Sequence, residues 1–223
     1  MLTIHTDLVQ GTDEWHQARC GIVTASVAGK LLTPTLKVAD NETSRGLILA
    51  LTAERLTGYV EDTYSGGDMW RGVEDEPIAR DLYAEHHAPV DEVGLMVRDD
   101  WGYRIGYSPD GLVSDDGQIE IKSRLQRLHL RTILEDRVPG EYLAQIQCGL
   151  LVSGRAWCDF VSYCGGMPLY VKRVYPDPMW HEAIVAAVAN LEAAAELAFV
   201  CYHTLIAGLP AIERVERDAG FEF

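Results

Sequence analysis

Lysine is scarce in this chain. The 223 residues hold four (Lys30, Lys37, Lys122 and Lys172) against fifteen arginines, and 34 acidic residues leave a net charge of −15. Such a deficit of positive charge argues against a protein that coats nucleic acid non-specifically. It leaves room for a site in which carboxylates hold a metal. Paired cysteines are missing too. Cys20, Cys148, Cys158, Cys164 and Cys201 form no Cys-x-x-Cys and no metal-ligand spacing. That speaks against an iron–sulfur centre, and the odd count fits a reducing cytoplasm with mostly buried thiols. Residues 1–10 lack the basic start of a secretory leader. No internal repeat or low-complexity segment is present. The apolar stretch 184–201 is interrupted by Asn190, Glu192 and Glu196, so it reads as a buried or amphipathic helix and not as a membrane span. The seven histidines are scattered, and the adjacent pair His86–His87 would diverge on a helix.

What is present suits one compact domain spanning 1–223, with 209–223 as a tail. Apolar residues make up 48%, enough for a sizeable core. Thr12 precedes acids at Asp13 and Glu14, the mark of a helix start. A second helix is expected from Thr24 to about Leu32, a third over 42–57 ending at Gly58, and a fourth over 69–85. In the fourth, Val73, Ile78 and Leu82 recur at helical spacing. Strands are expected at 90–97, 103–107, 111–113 and 118–123. Helices at 126–134 and 141–152, strands at 157–163 and 169–175, and a helix over 178–207 complete the order. The alternation implies an α/β domain with a mixed central β-sheet flanked by helices.

The stretch Ser108-Pro109-Asp110-Gly111-Leu112, followed ten residues after the aspartate by Glu120-Ile121-Lys122, carries the chemistry. Residues two apart on a strand share a face. Glu120 and Lys122 therefore project together, while Ile119 and Ile121 pack on the other side of a half-buried strand. A hairpin through Ser114-Asp115-Asp116-Gly117 swings Asp110 back beside Glu120. Two carboxylates suit Mg²⁺, which prefers oxygen and keeps several waters. A nearby lysine can orient or deprotonate a metal-bound water that attacks a phosphodiester. A further acidic cluster, Glu74-Asp75-Glu76, lies on the fourth helix. Between 122 and 137 the cations Lys122, Arg124, Arg127, Arg131 and Arg137 outnumber Glu135 and Asp136. That gives a local excess of positive charge suited to DNA phosphates, for which the arginine fork is well shaped.

These residues resemble the PD-(D/E)xK nuclease core and, more narrowly, the phage lambda exonuclease and YqaJ-type viral recombinase family. Gln10-Gly11-Thr12-Asp13-Glu14-Trp15 running into Arg19-Cys20-Gly21-Ile22-Val23-Thr24-Ala25-Ser26 resembles the family's N-terminal signature. Gly72-x-x-x-Glu76 resembles its acidic helix, and Tyr142-Leu143-Ala144-Gln145-Ile146-Gln147 the helix after the core. The resemblance implies a restriction-endonuclease-like α/β fold. The implied activity is Mg²⁺-dependent 5′→3′ digestion of one strand of duplex DNA to mononucleotides, leaving a 3′ overhang. Two ions per reactive site are implied, with Mn²⁺ as a substitute. It also implies a ring-shaped homotrimer on double-stranded DNA ends, a single-strand annealing protein as partner, no membrane, and the cytoplasm of a bacterial host, where the gene is host- or prophage-borne.

Residue by residue, the resemblance makes Asp110 and Glu120 metal ligands, with the Ile121 carbonyl added. Lys122 positions the nucleophilic water and Glu76 completes the acidic cluster. Glu74 and Asp75 are left as solvated neighbours. Gln145 or Gln147 sits near the lysine or the scissile phosphate, and the spacing leaves both open. Arg19, Ser26 and Ser108 match a pocket for the terminal 5′-phosphate, with Ser26 at the start of a helix. Met69 matches an apolar wedge that splits the duplex end. Where relatives carry Cys-Pro after the lysine, this chain has Ser123-Arg124. An endonuclease on the same core, or a DNA-binding protein without catalysis, are the competing readings.

Overall fold

A computed structural model describes residues 1–61 and 67–214, with side chains for 1–61 and 70–214. Strand β1 (Leu2–His5) leads to helix α1 (Asp13–Ala18), β2 (Val23–Thr24) and α2 (Ala25–Ala28), which tightens into a 3-10 turn at Gly29–Leu31. Helices α3 (Glu42–Thr57) and α4 (Gly67–His86) follow, then β3 (Leu95–Arg98), β4 (Ile105–Tyr107), β5 (Gly111–Val113) and β6 (Gly117–Ser123). Helices α5 (Gln126–Glu135) and α6 (Gly140–Ser153), strands β7 (Trp157–Tyr163) and β8 (Tyr170–Val174), and helix α7 (Pro178–Leu205) complete the chain.

Local sequence explains the helix ends. Thr12 accepts a bond from the Trp15 N–H at the start of α1. Asn41 and Ser44 form a reciprocal capping box on α3, which ends at Gly58 in the left-handed conformation. Each device satisfies backbone groups that a helix end leaves bare.

The expected single sheet is two four-stranded sheets. One runs β1-β3-β4-β2 and the other β5-β6-β7-β8. Both are mixed: β4 pairs in parallel with β2, β6 pairs in parallel with β7, and the remaining pairs are antiparallel. The segment Ser108-Pro109-Asp110 crosses from the first sheet to the second. Strands β1 and β2 were not foreseen, and the expected strand at 90–97 shrinks to Leu95–Arg98.

Strand β6 is buried on both faces. Ile119 and Ile121 pack with Val113 and Val161 against Ala79 and Tyr83 of α4. The opposite face, Gln118, Glu120 and Lys122, looks toward α6, whose Ile146 and Leu150 pack with Cys158 and Phe160 of β7. The strand is thus not half-solvated as expected: Gln118 and Glu120 are both fully buried. On α4 the apolar spacing pointed to the wrong face. Val73 is 64% exposed and Ile78 49% exposed, while Ala79 and Tyr83 form the buried stripe.

Helix α6 also packs on the first sheet, where Cys148 and Val152 join Ile105, Tyr107 and Met96 with α2, α3 and α7. Helix α7 is long and apolar enough to cross a membrane by length and composition. Its first half lies in the core through Ile184, Val188 and Leu191, while Leu197, Val200 and Leu205 are exposed. Glu192 takes a two-pronged bond from Arg55 of α3 at 2.6 and 2.7 Å, so this interrupting acid is a tie between helices.

Candidate active site

The β5–β6 hairpin builds the centre. Its register pairs Gly111 with Ile119, and carried one residue further it sets Asp110 across from Glu120. β5 goes no further, so β6 has an open edge beyond Ile119. There the Ile121 N–H donates to Asp110 Oδ2 at 2.6 Å. In an antiparallel pair a residue exchanges its N–H and C=O on one side, so the Ile121 carbonyl faces the same edge. Lys122 Nζ donates to Glu120 Oε1 at 2.6 Å. Helix α4 approaches from the other side and brings Glu76. A cavity of about 280 Å³ is lined by Gly72, Val73, Glu76, Asp110, Ile121, Lys122 and Ser123.

The electrostatics are those of acids removed from water. Burial, with the Asp110 charge adding to it, pushes Glu76 up to about 7. Burial also raises Glu120 to about 7 against the pull of Lys122, and it raises Asp110. Burial depresses the Lys122 ammonium, but Glu120 and Asp110 outweigh it and hold Lys122 protonated. Among the described residues no three or more Asp, Glu, His or Cys side chains form a ready-made metal cage. The acids instead lean on internal cations: Glu76 on Arg80, Glu120 on Lys122. A Mg²⁺ site needs only one or two carboxylates, with water as the remaining ligands. The donors fit such an ion. Asp110 and Glu120 supply hard oxygen donors beside the edge that β5 leaves open, and the Ile121 carbonyl turns to that same edge.

Several neighbours escaped the sequence reading. Arg80 binds Glu76, donates to the Asp110 backbone carbonyl at 2.7 Å, and pairs with Glu92 at 2.8 Å. Its spacing from Glu76, four residues along a helix, was the available signal. Asp75 is not merely solvated, since Ser123 Oγ donates to it at 2.5 Å and accepts from Arg71 Nε at 3.1 Å. Ser123 thus ties β6 to the acidic helix beside Lys122.

The N-terminal residues form a second cluster. Arg19 lies 3.7 Å over the Trp15 ring and donates to Thr24 Oγ1 at 3.3 Å. Thr24 Oγ1 is 3.1 Å from Ser26 Oγ. Trp15 Nε1 donates to Ser108 Oγ at 2.9 Å. Arg19, Ser26 and Ser108 are therefore linked through Trp15 and Thr24. Ser26 lies inside α2 and not at its cap, which is Thr24. Burial lowers the Arg19 guanidinium to about 10, and its Nε is buried without a partner. The loop behind it is clamped: Gly21, at φ +68°, leaves room for Arg55, whose Nε donates to the Gly21 carbonyl.

Two expected residues lie elsewhere. Gln147 is spent on a loop: its Nε2 donates to the Tyr175 carbonyl at 2.8 Å and its Oε1 accepts from the Asp177 N–H at 2.9 Å. Gln145, half a turn away, shares the helix face of Tyr142 and Gly149, and Tyr142 reaches the Lys122 ammonium. Arg124 is not on an open DNA-facing surface. It is 5% exposed, bonded to Glu141 at 3.2 Å and set over the Tyr142 ring. Arg127, Arg131 and Arg137 are exposed, the last paired with Glu135. The Met69 side chain lies outside the described residues.

The profile of the YqaJ-like viral recombinase domain matches residues 14–156. The chain belongs to that family. An alkaline exonuclease (LHK-Exo) from Laribacter hongkongensis is 34% identical, over 87% of this chain and 100% of that one, with a TM-score of 0.75. The same values hold for its complex with dAMP. A phage-related exonuclease from Haemophilus somnus 129PT, 13% identical over 81% of this chain and 96% of that one, shares the fold at a TM-score of 0.59. No curated protein matches the chain. Family and fold agree with the resemblance read from the sequence: a mixed α/β domain with helices flanking mixed sheets.

Proposed function

We propose that this chain, as one domain over 1–223, is a DNA exonuclease of phage-type recombination. It removes nucleotides 5′→3′ from one strand of a duplex end and leaves a 3′ overhang. The observation that carries this reading is the meeting of Asp110, Glu120 and Lys122 at one open strand edge, in a chain 34% identical to an alkaline exonuclease. Asp110, Glu120 and the Ile121 carbonyl would hold Mg²⁺, or Mn²⁺ in its place. Two bound ions would supply an activated water and charge for the leaving oxygen of an in-line displacement.

The chain's own groups do the rest. Lys122, kept protonated by its two acids, orients the attacking water and steadies charge on the phosphate. Glu76, raised toward neutrality, accepts a proton or a water ligand at the cavity's far wall. Gln145 is the better placed glutamine for the scissile phosphate. Arg19, Thr24, Ser26 and Ser108 receive the terminal 5′-phosphate, and Arg127, Arg131 and Arg137 touch the DNA backbone. The reading extends to a homotrimeric ring, a single-strand annealing partner and a bacterial cytoplasm.

A time course on end-labelled linear duplex DNA, with Mg²⁺ or with EDTA, tests it. Mg²⁺-dependent release of mononucleotides from 5′-phosphorylated ends, faster than from 5′-hydroxyl ends, is expected. Wild-type rates in Lys122→Ala would sink the assignment. Cutting of covalently closed circles would move it to an endonuclease, and absence of divalent-ion binding to a non-catalytic DNA-binding protein.

A further inference from the structure

The α6-facing side of β6 carries Gln118, Glu120 and Lys122 in succession, and α6 lays one face along it. At one end Ser153 Oγ donates to Gln118 Oε1 at 2.7 Å. At the other, the Lys122 ammonium lies 5.6 Å from the centre of the Tyr142 ring. Residues 142, 149 and 153 share a helix face, so the middle position, Gly149, falls level with Glu120. There the helix has no side chain, and Tyr107 of β4 takes the space. A Cβ at Gly149 would stand 2.7 Å from Tyr107 Cζ, the ring carbon that bears the hydroxyl.

Three buried polar atoms along this seam lack an oxygen or nitrogen partner: Tyr107 Oη, Glu120 Oε2 and Gln118 Nε2, the last with only the Cys158 thiol beside it. Nearly all such atoms in folded proteins are satisfied, and each left bare costs about 1–3 kcal/mol. Their chemistry is complementary. A phenol and an amide nitrogen donate, and a carboxylate accepts. Burial and then the Glu120 charge hold the Tyr107 phenol protonated, so it keeps its donor.

We propose that one buried water joins Tyr107 Oη, Gln118 Nε2 and Glu120 Oε2, and that Tyr107 thereby acts as a positioning residue for Glu120. The water accepts from the phenol and the amide and donates to the carboxylate. Three partners suffice to hold a buried water. With Oε2 fixed in this way, Oε1 is directed toward Lys122 and the open strand edge. Tyr107 acts behind a proposed metal ligand, so the inference rests on the nuclease reading for its effect, though not for its geometry.

Two measurements test it. A crystal structure of the wild-type protein should show a water about 3 Å from all three atoms, and empty density there overturns the proposal whatever the activity. Tyr107→Phe removes the hydroxyl and keeps the ring. Mg²⁺ binding by calorimetry, without DNA, should weaken about 10–100-fold, the usual effect of losing a partner behind a metal ligand. The kcat should fall with it while KM for DNA stays unchanged. Tyr175→Phe, at an exposed hydroxyl, should match wild type in both. Wild-type Mg²⁺ affinity and kcat in Tyr107→Phe overturn the proposal. Should that variant not fold, Gln118→Met, which removes the second donor, carries the same expectation. A wild-type protein that neither binds Mg²⁺ nor cuts DNA fails the nuclease reading instead, and the density still decides the water.

Discussion

Lys122→Met removes the cation that pairs with Glu120 inside the protein. The pair is asymmetric: Glu120 is 0% exposed and Lys122 23%, with 2.6 Å between their charged atoms. Removing one partner of a buried pair costs about 3–5 kcal/mol, because the other charge is stranded. Glu120 can escape by taking a proton. Beside Lys122 the folded Glu120 titrates at about 7, so holding it neutral costs about 1.4 kcal/mol at pH 8 and almost nothing at pH 5. The loss in Lys122→Met should therefore be about 1–2 kcal/mol at pH 8 and under about 1 kcal/mol at pH 5. Glu120→Gln leaves a lysine that reaches solvent, and should cost about 1 kcal/mol. The double variant strands nothing and should lie within about 1 kcal/mol of wild type. Urea unfolding of the four proteins in EDTA at both pH values reads these differences as shifts in midpoint. Equal losses at pH 5 and pH 8, or a double variant no more stable than Lys122→Met, would refute the reasoning.

Three further outcomes follow from the same geometry. Glu76 and Glu120 are both raised to about 7, so the stability they contribute is complete below about 4.5 and is lost as pH rises through 7. Melting in EDTA should fall across that window, and Mg²⁺ at pH 8 should restore it. A flat or rising profile contradicts the burial argument. Ser123→Ala cuts the bonds to Asp75 and Arg71 and should lose about 1–2 kcal/mol in urea, with slower DNA digestion from a loosened α4. No change in either would mean that these bonds are not maintained in solution. Gly149→Ala drives a methyl group into the Tyr107 ring and should cost about 1–3 kcal/mol, read as a lower melting temperature. A neutral result would show the ring free to move.

Legibility varied with the physics of each segment. Helix α3 was placed because Gly58 marks its end, and the structure adds a capping box at its start. The β5–β6 hairpin was readable because turn residues and alternation act locally. Helix α4 was not, since its buried stripe rests on a small residue, Ala79, and on Tyr83, while Val73 lines a polar cavity. Strands β1 and β2 are four and two residues long, too short for a pattern, and exist through pairing with distant β3 and β4. Within the site, the approach of Asp110 to β6 and the pairing of Glu120 with Lys122 followed from the hairpin turn and strand alternation. The roles of Gln147 and Arg124 were not legible, because their partners Tyr175, Asp177 and Glu141 are remote or on another helix. Tyr107 was silent in the sequence for the same reason, as its place is set by the absent side chain of Gly149.

The three residues that cross between the sheets end in Asp110, so this acid belongs fully to neither. Its carboxylate meets the Ile121 amide only after the second sheet has closed its hairpin, and Ser108 meets Trp15 only when the first sheet and α1 are in place. Cutting power and native assembly should therefore rise together during refolding, and neither half of the chain, expressed by itself, should carry a weakened version of the activity.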